Sequence, residues 1–395
     1  MEKKAKSMRG CPVCRGTKSS FLHTMKFALP AGHPLTSGYD VLACTDCGFV
    51  FADTQVTQDD YDIFYSKMSK YEDRKTSTGG GDTPEDATRL RRTADTVAKH
   101  VADRDARIID IGCANGGLLK ELKKLGYKNL YGVDPSIECV KNTRKIPGVK
   151  AYAGTLSNLP KNTGSFDAVI LSHVLEHIQD IRKSINAAKT LIKSGGILYA
   201  EIPDANRYNL FYAPLPYYFN AEHINHFSTT SLKNLLTSSG FTQISDGTAD
   251  TPVTPHVRYP IAWVAYRKGG IKEKIAYDAK LVSNIRKYIS SALRHQDMKR
   301  LSKLNLPRQE IIIWGVGAYA SWLLANTPLG EASVSAFTDN NPKYWGMKLK
   351  DKPIIPPNTL ACRKEPIAVA TWLHHPEIVR QIKNNLKLKN KIIIL

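Results

Sequence analysis

No stretch of this sequence approaches the roughly 20 consecutive apolar residues that cross a bilayer, so a membrane-spanning helix is not expected. The N-terminus, MEKKAKSMRG, is basic but has no apolar core behind it; this argues against a secretory leader and makes the cytoplasm the expected location. Cysteine is scarce and odd in number, seven in all, which with no secretory signal argues against a disulfide framework as the organising device. Acidic residues are also in deficit. Asp and Glu number 36 against 56 Lys and Arg, a formal net charge of +20. The excess is spread along the chain with no basic tail. It indicates an anionic partner, with a phosphorylated small molecule ahead of nucleic acid. No repeat of fixed short period is present.

What remains is an ordinary globular composition, 42% hydrophobic and 23% charged over 395 residues, with room for two or three domains. Residues 1–55 hold two cysteine pairs, CPVC at Cys11 and Cys14 and CTDC at Cys44 and Cys47. Each CxxC presents two thiolates on a tight turn, and two such turns close a tetrahedral site, so a structural Zn²⁺ held by all four is expected. Buried or redox-active thiols are the simpler alternative. Residues 56–105 are polar, with a glycine-rich centre, STGGGDTPED, expected to be flexible. Thr83 and Pro84 signal a helix running to Val101 with Leu90, Ala94, Val97 and Val101 on one face.

Residues 106–250 alternate strand-length apolar runs (RIIDIG, NLYGVD, FDAVILS, GGILYAEI) with amphipathic stretches. This is the signature of a mostly parallel α/β sheet with helices on both faces. Residues 251–304 are basic and read as a connector, helical in part. A second α/β series, EIIIWG to KIIIL, fills 305–395. It contains G-x-G-x-x-A at Gly315, Gly317 and Ala320, with Asp339 at the next strand end, the spacing of a dinucleotide loop.

The loop after the first run, D-x-G-x-x-x-G, differs from the pyrophosphate-binding G-x-G-x-x-G. Asp110 closes the strand, Gly112, Asn115, Gly116 and Gly117 let backbone pass close to a ligand, and Asp134 ends the next strand 22 residues after Gly112. An acid there accepts from two ribose hydroxyls. A ligand with a ribose but no phosphate fits this loop. HVLEH (His173–His177) also matches H-x-x-E-H, a zinc-protease pattern, but it directly follows a strand instead of lying inside a helix.

The D-x-G-x-x-x-G loop resembles motif I of the class I S-adenosylmethionine (SAM)-dependent methyltransferases. AGTLSNLP, FDAVILSHVLEHIQD and SGGILYAEIPD resemble later segments of that fold in the same order, over roughly residues 105–245. The resemblance implies cofactor contacts from Asp110, Gly112, Cys113, Asn115, Gly116, Asp134, Pro135, Thr155, Leu156, Ser172, His173 and His177. The whole order resembles the sugar C-methyltransferases that act on nucleotide-linked ketosugars. It implies a zinc-binding module and lid at 1–80, a methyltransferase domain at 81–250, a helical connector at 251–304 and a Rossmann-like substrate-binding domain at 305–395. The implied substrate is a nucleotide-diphosphate sugar; nucleic acid is not the expected partner, and the sequence leaves the oligomeric state open, a monomer included.

In that family a Glu-His pair after the fifth strand removes a proton beside the ketone. Here FNAEHINHFS supplies Glu222 and His223, with His226 nearby. An imidazole is a base near neutral pH, and a carboxylate beside it orients the ring. The family's Tyr two positions before the Glu is Asn220 here, which puts the enolate step in question. Tyr71, Tyr217, Tyr218 and His226 are candidate replacements, and O-methylation of a sugar hydroxyl is the competing reaction. An RNA methyltransferase with a zinc module and a non-catalytic scaffold also stay open. Glu222, His223 and His226 could also simply anchor a loop.

Overall fold

Strand-length apolar runs occupy the middle of the chain and set its architecture. The computed structural model describes residues 4–68, 70–72, 79–156, 158–160, 163–304, 306 and 308–395. Ser77 and Thr78 of the glycine-rich stretch, and Ser157 of AGTLSNLP, lie outside them. The chain divides into two compact units: Met1–Leu22, Val41–Phe211 and Glu222–Lys287, and His23–Asp40, Tyr212–Ala221 and Tyr288–Leu395.

The chain opens with strands β1 (Lys4–Lys6), β2 (Lys18–Lys26), β3 (Gly38–Cys44) and β4 (Val50–Asp53). Helix α1 (Gln58–Lys67) starts on a capping box between Thr57 and Asp60. Helix α2 (Pro84–Ala98) starts where the sequence signals, with the Thr83 side chain accepting from the Asp86 N–H and Pro84 at the first position. The helix ends before Val101, which still reaches the core through the turn that follows and is 6% exposed.

The large sheet is built on parallel strands β5 (Arg107–Ile111), β6 (Asn129–Asp134), β7 (Val149–Ala153), β8 (Phe166–Ser172) and β9 (Ile192–Pro203). Helices α3 (Gly117–Lys124), α4 (Ile137–Arg144) and α5 (Ile181–Leu191) lie in the connections. The short strand β10 (Asn225–His226) pairs antiparallel with β4 and completes a small sheet of order β1-β2-β3-β4-β10. After α6 (Thr229–Thr237), strands β11 (Phe241–Pro252) and β12 (Arg258–Lys268) return antiparallel. The full order is β11-β12-β9-β8-β5-β6-β7.

Residues 251–304 hold helices α7 (Ala279–Arg294) and α8 (Gln296–Ser302), but Arg258–Lys268 is strand, not connector. Its run PIAWVA is apolar enough to be covered on both faces beside β9, and its backbone finds partners there from Ile261↔Pro203 to Arg267↔Ile197.

Adjacent residues of one strand point to opposite faces, so Ile108 and Ile109 enter different cores. One core joins Ile109, Val133, Val169 and Leu198 to α5, α6 and Phe49 and Phe51 of the small sheet. The other joins Ile108, Leu130, Ile170 and Tyr199 to Leu90, Ala94 and Val97 of α2 and Leu118, Leu119 and Leu122 of α3. Each such side chain contributes about 1.5–3 kcal/mol on full burial.

In the second unit, β13 (Ile311–Trp314), β14 (Val334–Thr338), β15 (Lys348–Leu349), β16 (Lys352–Ile355), β17 (Ile367–Val369) and β18 (Ile392–Ile394) form a sheet of order β15-β16-β14-β13-β17-β18, parallel apart from β15. The G-x-G-x-x-A loop lies between β13 and helix α9 (Ala318–Asn326). The Asp339 carboxylate ties this loop to the end of β14, accepting from the Val316 and Asn341 N–H groups at 2.9 and 2.8 Å. Among the described residues no helix is long and apolar enough to cross a membrane.

Gly117 opens α3 under the Gly79–Gly80 backbone. A Cβ there would lie 2.7 Å from the Gly79 carbonyl oxygen and 2.5 Å from Leu90 Cδ1. Gly117→Ala is therefore expected to destabilise the protein by about 1–3 kcal/mol, read from the midpoint of urea unfolding; an unchanged midpoint would show that the two backbones move apart freely.

Candidate functional site

The carboxyl ends of β5 and β6 carry the first glycine loop. Gly112, Ala114 and Gly116 take φ of 73°, 45° and 78°, so the chain turns sharply at three points, one of them a non-glycine. Asp134 fixes the turn: Oδ2 accepts from the Ala114 N–H and Oδ1 from the Ser136 N–H, both at 2.9 Å. Burial lifts its pKa to about 6, against the pull of those two amides. Asp110 lies deeper, 3% exposed, and its side chain makes no hydrogen bond among the described residues. Burial, then the nearby Asp134, push its pKa to about 8, with Arg89 opposing. A neutral acid at this depth becomes a carboxylate only when a cation comes near.

A second segment lies against the loop. The Gly117 N–H donates to the Gly79 carbonyl at 3.0 Å, Asn115 Nδ2 to the Tyr71 carbonyl at 2.7 Å, and Ser136 Oγ to Glu72 Oε1 at 2.8 Å. Asp86 Oδ2 holds the Gly79 and Gly81 N–H groups at 2.8 Å each, so the described part of the glycine-rich stretch is pinned.

HVLEH follows β8 as a turn and a single 3₁₀ turn, Leu175–His177. A side chain on Gly112 would meet Val174 Cγ2 at 2.7 Å, so this turn packs directly on the glycine loop. His173 takes φ 56°. Its Nδ1 lies 3.2 Å from Glu176 Oε1 and its Nε2 3.4 Å from Glu201 Oε1. Burial acts to lower its pKa, but the two carboxylates outweigh it and the net shift is upward. Glu201 is fully buried. Burial alone would raise its pKa, yet His173 and Arg92, whose Nη2 is 2.9 Å away, bring it down to about 2.

The 222–228 segment is tied onto the HVLEH turn. The Ile224 N–H donates to the Glu176 carbonyl at 2.9 Å, and Asn225 Nδ2 donates to the Leu175 and Ile178 carbonyls at 2.9 and 2.7 Å. Ser228 caps α6 in a capping box with Ser231 and donates to Asp278 Oδ2 at 2.5 Å. His177 Nδ1 lies 2.7 Å from Tyr65 Oη and 3.1 Å from the Glu222 carbonyl oxygen, and the His177 and His223 rings meet edge to face at 4.7 Å. Tyr65 Oη is 3.5 Å from Glu222 Oε2.

Glu222 and His223 thus gather with His177 at the HVLEH turn, whose Val174 packs on Gly112, while His173 turns to Glu176 and Glu201. Cys113 is buried under Gly132, where a Cβ would stand 2.7 Å from its Sγ. Ser172 ends β8, and Pro135 follows Asp134 into the turn before α4. Thr155 is partly exposed, its N–H on Asn158 Oδ1, whereas Leu156 belongs to a core. His226, read from sequence as a catalytic candidate, is fully buried on β10, edge-on to Tyr208, and burial alone lowers its pKa to about 3. The structure thus packs this ring into the core. Asn220 belongs to the second unit, its carbonyl accepting from Tyr39 Oη at 2.8 Å.

Sequence reasoning passed over Tyr65, which sits in a polar stretch without a motif, and Glu201, whose partners come from distant segments. It also missed Ile137, an apolar side chain 63% exposed beside Asp134.

The four cysteines of the small sheet converge as expected. Cys11 and Cys47 Sγ are 3.5 Å apart and Cys14 and Cys44 Sγ 3.4 Å apart, and all four lie within 4.8 Å of one another. The Gly16 and Asp46 N–H groups donate to the Cys14 and Cys44 sulfurs at 3.4 Å.

Residues 85–246 match the family described as "Methyltransferase domain". A ubiquinone biosynthesis O-methyltransferase from Colwellia psychrerythraea is 36% identical over 104 residues, 24% of this chain and 41% of that protein. A tRNA U34 carboxymethyltransferase from Desulfotalea psychrophila is 27% identical over 192 residues, 45% of this chain and 58% of its own length. The chain thus spans about half the length of these curated relatives. Among solved structures, a SAM-dependent methyltransferase from Methanosarcina mazei is 20% identical, with a TM-score of 0.38, covering 44% of this chain and 97% of that one. The family match, together with the parallel-dominated sheet and the glycine loop at its carboxyl edge, identifies residues 85–246 as a class I SAM-dependent methyltransferase domain.

Proposed function

We propose that this chain transfers the methyl group of SAM to a nucleotide-activated ketosugar, at the carbon beside the ketone. The observation that carries the reading is the grouping of Glu222, His223 and Tyr65 around His177, on the turn whose Val174 packs against Gly112. SAM supplies an electrophilic methyl group on a positively charged sulfur. Gly112, Asn115 and Gly116 would bring backbone close to it, Asp134 would accept from its ribose hydroxyls, and the buried Asp110 carboxyl suits a cationic ligand. His223 takes the proton from the carbon acid, and Glu222 orients the ring and stabilises its charged form. The enolate then attacks the methyl carbon, with the bonding electrons leaving to sulfur.

The second unit, with its glycine loop and Asp339, is assigned to the nucleotide part of the substrate, whose diphosphate fits the chain's net charge of +20. The four cysteines are assigned a structural Zn²⁺. Thiols kept reduced for a metal suit a cytoplasmic setting. O-methylation of a sugar hydroxyl is the second reading, favoured by the relatives named as O-methyltransferases and by Asn220 where a Tyr would serve the enolate.

The test is incubation with isotopically labelled SAM and a panel of nucleotide ketosugars, followed by mass spectrometry of the product and location of the label. Wild type should label the carbon beside the ketone; label on oxygen selects the second reading. His223→Ala should cut turnover by about 10²–10⁴ with SAM binding intact. Undiminished turnover removes His223 as the base.

Cofactor affinity should depend on pH. With its pKa raised to about 8, Asp110 is neutral at lower pH and must lose a proton to face a cation. Affinity for SAM therefore rises between pH 6 and 8 and levels above, followed by titration calorimetry. Asp110→Asn should weaken binding at pH 8 and flatten the profile; an unchanged slope would assign it elsewhere. Cys14→Ser should lower bound zinc by about one equivalent per chain in native mass spectrometry, and a wild-type protein that binds none refutes the zinc assignment.

A further inference from the structure

Two groups of metal-ligating side chains occur among the described residues. The second, besides the cysteines, is Glu176, His177 and His223, whose ligand atoms all lie within 4.8 Å of one another. We propose that these three residues form a divalent-cation site, suited to a first-row transition ion such as Zn²⁺, Co²⁺ or Mn²⁺. Two imidazoles and one carboxylate favour such ions over Ca²⁺ or Mg²⁺, which prefer oxygen alone.

Two of the three ligands are oriented from behind. His177 Nδ1 lies 2.7 Å from Tyr65 Oη and 3.1 Å from the Glu222 carbonyl oxygen, while Tyr65 Oη donates to Glu222 Oε2; a ring whose Nδ1–H is shared between Tyr65 Oη and that carbonyl carries its lone pair on Nε2. That Nε2 lies 3.9 Å from Glu176 Oε1. Glu176 is 2% exposed; its Oε1 accepts from His173 Nδ1 at 3.2 Å, while its Oε2 is buried with no hydrogen-bond partner among the described residues. A buried carboxylate oxygen left bare is costly, and a cation removes that cost. The Ile224 N–H on the Glu176 carbonyl and Asn225 Nδ2 on the carbonyls of Leu175 and Ile178 fasten the segment carrying His223 to the one carrying the other two. H-x-x-E-H spacing is thus used differently from the protease pattern: His173 turns to Glu176 as a support, and the second histidine ligand comes from 46 residues beyond His177.

Three protein ligands leave coordination positions for water or a substrate oxygen, which a divalent ion would acidify. A His223 nitrogen bound to a cation takes no proton, so the ion and the imidazole base are alternative states of one ring. The inference is separable from the methyl-acceptor reading because binding is measured without substrate.

The experiment is equilibrium dialysis of the full chain against Zn²⁺, with metal content by plasma mass spectrometry. Wild type should bind one further equivalent beyond the cysteine-held ion, released first by a weak chelator. Glu176→Gln and His223→Ala should each weaken that equivalent at least about tenfold while keeping the tightly held ion and the wild-type circular dichroism, which reports intact folding. A wild-type chain with no second equivalent, or a second equivalent of unchanged affinity in both variants, overturns the proposal. If one variant loses its fold, the other decides between these outcomes.

Discussion

A carboxylate with no water around it has to be matched by charge and hydrogen bonds, and Glu201 imposes that demand on the first unit. Its oxygens take Arg92, Thr93 and Tyr199 and lie beside His173. These partners come from α2, from β9 itself and from the turn after β8. Satisfying one buried charge therefore docks a helix, fixes the end of a strand and bends the chain at His173 into the left-handed region. The bend points Val174 at Gly112 and carries Glu176 and His177 towards Glu222 and His223. Removing a partner would leave the charge buried and unmatched, at a cost of about 3–5 kcal/mol.

Much of the fold could be read from the sequence because its signals are local. RIIDIG, NLYGVD, FDAVILS and GGILYAEI became β5, β6, β8 and β9, since a run covered on both faces needs no information from elsewhere. The Thr83-Pro84 helix start is equally local. Arg258–Lys268 was harder to read. Its strand character depends on β9 being free to pair, which no window of sequence reports.

The candidate site was legible only where chemistry and spacing coincide. Asp110, Gly112 and Asp134 announce themselves by the strand-loop-helix pattern. FNAEHINHFS, by contrast, presents His223 and His226 as equals. What separates them is pairing: His226 lies on β10 opposite Val50 and is swallowed by the core, while His223 precedes that strand. Asn225, in the same stretch, spends both amide donors on the carbonyls around the HVLEH turn. Glu176 drew no attention on its own because its partners lie three residues upstream and 47 residues downstream of it.

The hydrogen bonds from Gly117, Asn115 and Ser136 to Gly79, Tyr71 and Glu72 have a kinetic meaning. Uncovering the glycine loop means breaking them together. At about 1 kcal/mol each, that makes the uncovered form roughly a hundredfold rarer than it would be without them. A small molecule held by this loop would leave slowly, and the pace of exchange between used and fresh cofactor would then depend on the contacts that Tyr71, Glu72 and Gly79 make with the loop.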